Sequence, residues 1–168
     1  MKQKINISPQ ETAVAPNLSV KENLELIARI YGSNKSEARS KTDETMRSFG
    51  LSDRSKDKAK TLSGGLQRRL SVAMALISNP EIVFLDEPTL GLDVVARREL
   101  WKVMRGLKGK IMMVLTTHYL EEAEALSDRI GILHDGRLKA LGTAEQLKQE
   151  TGKTSFEDTF LAVTETEG

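Results

Sequence analysis

The chain has 168 residues and a net charge of +1, with 39% hydrophobic and 29% charged residues, the composition of an ordinary globular domain with a real core. Near-neutral charge gives no bulk electrostatic reason to bind nucleic acid; the absence of cysteine excludes disulfides, thiolate metal sites and a cysteine nucleophile, and two histidines leave no histidine-rich metal site. No segment reaches the roughly 20 apolar residues of a membrane span: the longest uncharged stretch, Leu70 to Pro80, contains Ser71, Ser78 and Asn79, and MKQKINISPQ has no apolar run to make it a signal peptide.

Ile5 to Ser8 reads as the end of a short strand stopped by Pro9. Ser19 is placed to cap a helix running to about Ile30, with Glu22 in the capping-box position and Gly32 as the stop. Ser36 to Phe49 reads as a polar helix whose core positions are Ala38, Met46 and Phe49, and Gly50 to Lys60 as a charged loop. Residues 19–61 therefore form a small helical subdomain. From Leu62 the pattern changes. Leu66, Leu70, Ala73 and Ile77 recur at helical spacing up to Pro80, and Ile82 to Leu85 is a continuous apolar run, as expected of a strand buried on both faces. Val94 to Leu107 is a helix with Leu100, Val103 and Leu107 inward, and Ile111 to Leu115 a second apolar strand. A short acidic helix covers Leu120 to Leu126. Ile130 to Leu133 and Arg137 to Leu141 flank the hairpin turn Asp135-Gly136. Thr143 caps a helix to about Glu150, with Gln146 completing a capping box, and a last helix spans about Ser155 to Val163. Strands alternating with helices predict an α/β core with a parallel sheet.

The residues able to carry chemistry sit at the joints of this pattern. In EIVFLDEP, Asp86 and Glu87 end an apolar strand, where open α/β sheets bind ligands. Asp86 suits Mg²⁺, which takes few carboxylates and keeps its waters, and Glu87 can polarise a water for attack on a phosphate. The plain alternative is a pair of solvated acids before the next helix. His118, after the second strand in VLTTHYLEEA, can hydrogen-bond a terminal phosphate oxygen or simply cap or pack. Gln10 follows the first strand and can bond a metal-bound or attacking water, though a lone glutamine there is by itself an ordinary loop residue. Ser63, Gly64 and Gly65, in LSGGLQRRL, put a glycine turn at a helix N-terminus, where backbone N–H groups hold phosphate, or where a chain merely turns. Arg68 and Arg69 lie one turn further in, too far along for phosphate contact to be assumed. Two fragments imitate a phosphate loop and fail. TGKTS lacks a glycine five residues before Gly152, where Leu147 stands, and follows a helix; GSNKS has Asn34 in place of the glycine before Lys35.

The order of these signals resembles the ATP-binding subunit of an ABC transporter: Gln10, Leu62-Ser63-Gly64-Gly65, Ile82 to Glu87, Gly91-Leu92-Asp93, then His118. The resemblance covers nearly the whole chain from Ile5. It implies a P-loop-NTPase-like parallel sheet with an inserted helical subdomain, divided as residues 1–18 (the Q-loop region), 19–61 (helical subdomain), 62–142 (signature, Walker B, D-loop and switch histidine) and 143–168 (helical tail). It implies that Gln10 is the Q-loop glutamine, Leu62 to Gly65 the signature, Asp86 the Walker B aspartate, Glu87 the catalytic carboxylate, Asp93 the D-loop aspartate and His118 the switch histidine. Gln10 and Asp86 would serve the metal; Gln10, Ser63, Gly64, Gly65 and Asp93 would serve the nucleotide. ATP and Mg²⁺ are the implied ligands. A second ATP-binding domain, paired head to tail, and a transmembrane permease are the implied partners, with no nucleic acid, on the cytoplasmic face of the cell membrane. The signature would then close on nucleotide held by the partner domain. Val94 stands where many members have proline and Leu66 where many have glutamine; the basic pair after the signature is closest to the exporter branch. The family's phosphate loop would precede Ile5 and no G-x-x-x-x-G-K-[ST] occurs in the sequence, so the chain is expected to be a domain incomplete at its N-terminus and inactive alone. The alternatives are a non-transport ATPase of the same superfamily, or a non-catalytic remnant that supplies only the signature half-site.

Overall fold

Local side-chain signals set the ends of the helices in the computed structural model, which describes residues 4–165; the outermost residues of the 1–18 and 143–168 segments lie outside the described residues. Contacts divide the chain into two units, the first ending at Thr116 and the second beginning at Thr117. This division falls inside the 62–142 stretch.

The first unit runs β1 (Ile5–Ser8), α1 (Val20–Ile30), α2 (Lys35–Ser48), 3₁₀ turns at Ser52–Arg54 and Ala59–Thr61, α3 (Gly64–Leu76), β2 (Ile82–Asp86), α4 (Val94–Leu107) and β3 (Met112–Thr116). Ser19 caps α1 with Glu22 in a reciprocal capping box. The Ser19 backbone N–H and hydroxyl hold the Glu22 carboxyl below its usual range. Fully buried Asn23 ties the preceding loop to α1: its Oδ1 accepts from Ala15 N at 2.8 Å and its amide donates to Ala15 O, Leu18 O and Ser19 O. Asn34, in the GSNKS imitation of a phosphate loop, is the N-cap of α2. Ala38, Met46 and Phe49 are buried as expected.

The three strands form a parallel sheet in the order β1-β2-β3. On one face Val83 and Leu85 are buried, along with the polar Asn6 and Ser8. α3 covers this face, and Asn6 Nδ2 donates to Ala75 O at 2.7 Å and Ser78 Oγ at 2.9 Å, so the buried amide is satisfied. The other face is open. Register aligns Ile7, Phe84 and Val114 in one row, and Ile5, Ile82 and Met112 in the next. Five of these six side chains, Ile5, Ile7, Phe84, Met112 and Val114, are between 40% and 64% exposed. The expectation that Ile82 to Leu85 is buried on both faces is therefore corrected at Phe84. An apolar run reports what a strand is built to meet, and here only one side meets it. α4 is corrected too. Leu100, Trp101 and Met104 form its buried stripe, while Val103 and Leu107 are half-exposed on the wall of a cleft.

The second unit holds α5 (Leu120–Leu126), the antiparallel hairpin β4 (Ile130–His134) and β5 (Arg137–Gly142), α6 (Ala144–Thr151) and α7 (Phe156–Thr164). Asp135 and Gly136 have φ of 48° and 71°, the two left-handed residues that a tight hairpin turn requires. Ile130, Ile132, Leu147 and Phe156 form the core of this unit. Gly152, from the TGKTS fragment, is the left-handed C-cap of α6, a helix stop rather than part of a phosphate cradle.

The open sheet face gives a direct prediction. Contiguous exposed apolar surface drives association, so the purified chain should bind a hydrophobic dye and self-associate. Phe84→Thr with Val114→Thr keeps strand propensity and should lower both dye fluorescence and the associated fraction in sedimentation, while changing unfolding free energy by no more than about 1 kcal/mol. Unchanged association in the double variant would place the sticky surface elsewhere.

Candidate functional site

One side chain of α3 joins the carboxyl ends of β1 and β2. Arg68 is 3% exposed. Its Nε donates to Pro88 O at 2.9 Å, its Nη1 to Pro9 O at 2.5 Å and Gln10 O at 3.1 Å, and its Nη2 to Asp86 O at 2.6 Å and Glu87 O at 3.2 Å. A guanidinium carries five N–H donors in a planar fork, and here they meet five backbone carbonyls. Those carbonyls lie where the strands stop and ladder partners run out, so each needs another donor. The clamp brings Gln10, Asp86 and Glu87 to one place. The sequence treats Arg68 as a helix residue of no assigned role; only its burial distinguishes it from Arg69.

Asp86 is oriented from the neighbouring strand. The Thr116 hydroxyl, in register with it at the end of β3, donates to Asp86 Oδ1 at 2.6 Å. The Glu87 N–H donates to Thr116 O at 3.1 Å and lies 3.3 Å from Thr116 Oγ1. Strand alternation puts Asp86 on the same face as Ile82 and Phe84, and Thr116 with Met112 and Val114, so both stand at the carboxyl end of the open face. Thr116 belongs to no motif in the sequence; its signal is its place in VLTTH, at the end of a strand pairing with the one that ends in Asp86.

Glu87 has φ of 46°. Among the described residues the other non-glycine positions with positive φ are Asn79 and Asp135, of types that tolerate the left-handed region better than glutamate does. Strain of this kind concentrates at functional sites, where surrounding structure enforces it. Here the enforcing contacts are the Arg68 bond to Glu87 O and the Thr116 bond to Glu87 N.

The glycine turn resolves into two roles. Ser63 is the N-cap of α3, its hydroxyl accepting from Leu66 N at 3.4 Å. A Cβ on Gly64 would meet nothing within 4 Å, so that residue faces open space. A Cβ on Gly65 would come within 2.9 Å of Ala96 Cβ, so Gly65 is where the first turn of α3 packs against α4. Asp93 caps α4 with its Oδ1 accepting from Ala96 N at 2.9 Å. Ala96 thus links Asp93 to Gly65. The leading N–H groups of α3 have no intrahelical partners and form the donor end of a helix dipole.

His118 belongs to the second unit, two residues past the end of β3; it is exposed, and its ring centroid lies 4.2 Å from that of Tyr119. Among the described residues no group of three or more His, Cys, Asp or Glu forms a metal cluster. Asp86 offers a single carboxylate, a donor set that fits Mg²⁺, whose remaining positions go to water and substrate phosphate oxygens.

The profile of the family described as ABC transporter matches residues 1–90. The chain is 40% identical over 164 residues to the linearmycin resistance ATP-binding protein LnrL of Bacillus subtilis, covering 97% of this chain and 51% of that protein. It is 43% identical over 150 residues to the daunorubicin resistance ATP-binding protein DrrA3 of Streptomyces coeruleorubidus, covering 89% and 48%. The chain therefore spans about half the length of these relatives. Among solved structures, an ATP-binding subunit of an ABC transporter matches with a TM-score of 0.80 and 29% identity over 95% of this chain and 68% of that one. A dimeric ATP-binding cassette in a post-hydrolysis state, bound to ADP and Pi, matches with a TM-score of 0.72 and 29% identity over 84% and 63%.

Two stability measurements follow from the geometry. Arg68→Met removes up to five charge-assisted hydrogen bonds to buried and part-buried carbonyls, together worth on the order of several kcal/mol, and should lower the urea-derived unfolding free energy by about 3 kcal/mol, with Arg68→Lys recovering only part. At position 87 the usual order of small residues should invert: Glu87→Gly should be more stable than Glu87→Ala by about 1 kcal/mol, because alanine retains the left-handed strain and glycine does not. Equal stabilities would mean that the backbone at Glu87 carries no strain.

Proposed function

The chain belongs to the ABC transporter family, and from that membership we propose that it is the ATP-binding component of an export system, coupling ATP hydrolysis to a membrane partner. The observation that carries this reading is the Arg68 clamp, which holds Gln10 beside Asp86 and Glu87 and fixes all three to the helix that begins at Ser63. An export role rests on the relatives named as drug-resistance ATP-binding proteins.

In this reading Glu87 is the general base, polarising the water that attacks the terminal phosphate. Asp86, held by Thr116, and Gln10 are the residues that would hold Mg²⁺, which when bound neutralises phosphate charge. His118 hydrogen-bonds a terminal phosphate oxygen. Ser63, Gly64 and Gly65 present N–H donors to nucleotide held by a second ATP-binding domain, and Asp93 meets that domain across the same boundary. A dimeric solved relative with ADP and Pi supports such pairing. Among the described residues no helix is long and apolar enough to cross a membrane. By the role of the relatives, the proposed location is the cytoplasmic face of the membrane, against a permease, with no nucleic acid as partner.

The 168 residues contain no phosphate-loop motif. Phosphoryl transfer depends mainly on positioning and charge stabilisation, so these residues by themselves should neither bind ATP tightly nor turn it over. In a complete cassette carrying this chain, Glu87→Gln should retain ATP-dependent pairing and lose roughly 10²-fold or more in turnover. Near-normal turnover in that variant would reject Glu87 as the base. Titration of the chain with nucleotide, alone and with a complete partner domain, tests the rest: tight binding by the chain alone would reveal a second phosphate cradle, and stimulation of a partner that is lost in Ser63→Arg would identify the signature half-site.

A further inference from the structure

A cleft of about 480 Å³ opens between the carboxyl end of α2 and the outer side of α4, with Arg69 of α3 on its wall. It shares no residue with the candidate nucleotide site. Its lining carries four cations, Arg47, Arg69, Lys102 and Lys110, against one carboxylate, Glu99, in a chain whose net charge is only +1. Phe49, Val103 and Leu107 give it an apolar wall.

Helix ends explain part of this charge. Arg47 lies in the last turn of α2 and Lys110 just past α4, where cations favour the carbonyl end of the dipole. Lys102, in the middle of α4, has no such reason. Arg69 is already engaged: its side chain is 11% exposed, Nη2 pairs with Glu99 and Nη1 donates to Phe49 O at 3.4 Å, so it offsets the one carboxylate of the lining. Two glycines keep the walls low. Nothing lies within 4 Å of a Cβ on Gly106, and a Cβ on Gly50, with φ of 63°, would press within 3.2 Å of Arg69 Nη1.

We propose that this cleft binds a phosphate-bearing anion, with Arg47, Lys102 and Lys110 supplying the charge while Arg69 offsets Glu99. Guanidinium groups match phosphate oxygens in pairs, and ammonium groups add charge without demanding geometry. A free phosphate ester and an anionic phospholipid headgroup present the same chemistry.

The test uses the isotopically labelled chain, titrated at low ionic strength with inorganic pyrophosphate and observed at the Gly50 and Gly106 amides. Saturating shifts are expected. Lys102→Gln with Lys110→Gln, both exposed and therefore tolerated by the fold, should weaken them roughly tenfold or more. Lys56→Gln with Lys153→Gln removes the same charge elsewhere and should change affinity less than about twofold. No saturation below roughly 10 mM, or equal weakening by the control pair, overturns the proposal. Co-flotation with phosphatidylglycerol vesicles but not phosphatidylcholine vesicles, lost in the Lys102/Lys110 variant, assigns the anion to a headgroup; saturation by pyrophosphate without flotation assigns it to a free phosphate ester.

Discussion

A single buried guanidinium sets the geometry on which the candidate site depends. Strands in a parallel sheet satisfy one another's backbone groups until they stop, and β1 and β2 stop together at Pro9 and around Pro88. Beyond that line the carbonyls of Pro9, Gln10, Asp86, Glu87 and Pro88 have lost their ladder partners, in a partly buried setting. Arg68 serves all five. Lysine could not, because three donors on one ammonium cannot span two strand ends. The clamp also explains how Glu87 keeps a left-handed backbone that its side chain disfavours. Its carbonyl is fixed from one side by α3 and its N–H from the other by β3, so relaxing φ would break both.

The second constraint is the sheet's asymmetry. α3 packs on one face, and the buried Asn6 there is satisfied only because Ala75 O and Ser78 are in place to accept from it. The opposite face is apolar and open, and Asp86 and Thr116 stand at its carboxyl end. The carboxylate proposed to serve the metal thus belongs to the face whose apolar side chains are exposed among the described residues. Its orientation does not rely on a covering layer, because Thr116 holds it within the sheet.

What the sequence made legible was local. Ser19 with Glu22, Thr143 with Gln146, and Asp135-Gly136 are short-range hydrogen-bond or backbone preferences, and each appears where expected. The acids of LDEP were legible because a continuous apolar run ending in charge marks a strand end. The sequence could not distinguish Arg68 from Arg69. Both are basic helix residues, and which of them turns inward depends on where α3 lies over the sheet. The open face was invisible for the reverse reason, since Phe84 would look the same covered or bare. Gly65 reads in the sequence as a phosphate-facing glycine beside Gly64; its further demand for space comes from Ala96, more than thirty residues away in a helix whose approach only the fold defines.

α3 gathers these constraints along about one turn. Gly64 leaves its N-terminus open, Gly65 seats it on α4, Arg68 binds it to two strand ends, and Arg69 ties it to Glu99 and Phe49. Under the proposed function the donors at the start of α3 face nucleotide on a partner domain, while Asp86 and Glu87 face nucleotide on their own. Arg68 lies between these half-sites and is bonded to the backbone of the second. A shift of the signature turn relative to the acids would break several charge-assisted hydrogen bonds in a buried setting, each worth more than its neutral counterpart. The two half-sites should therefore move as one body when the partner closes. Any flexibility that closure needs must lie outside α3 and the strand ends it clamps.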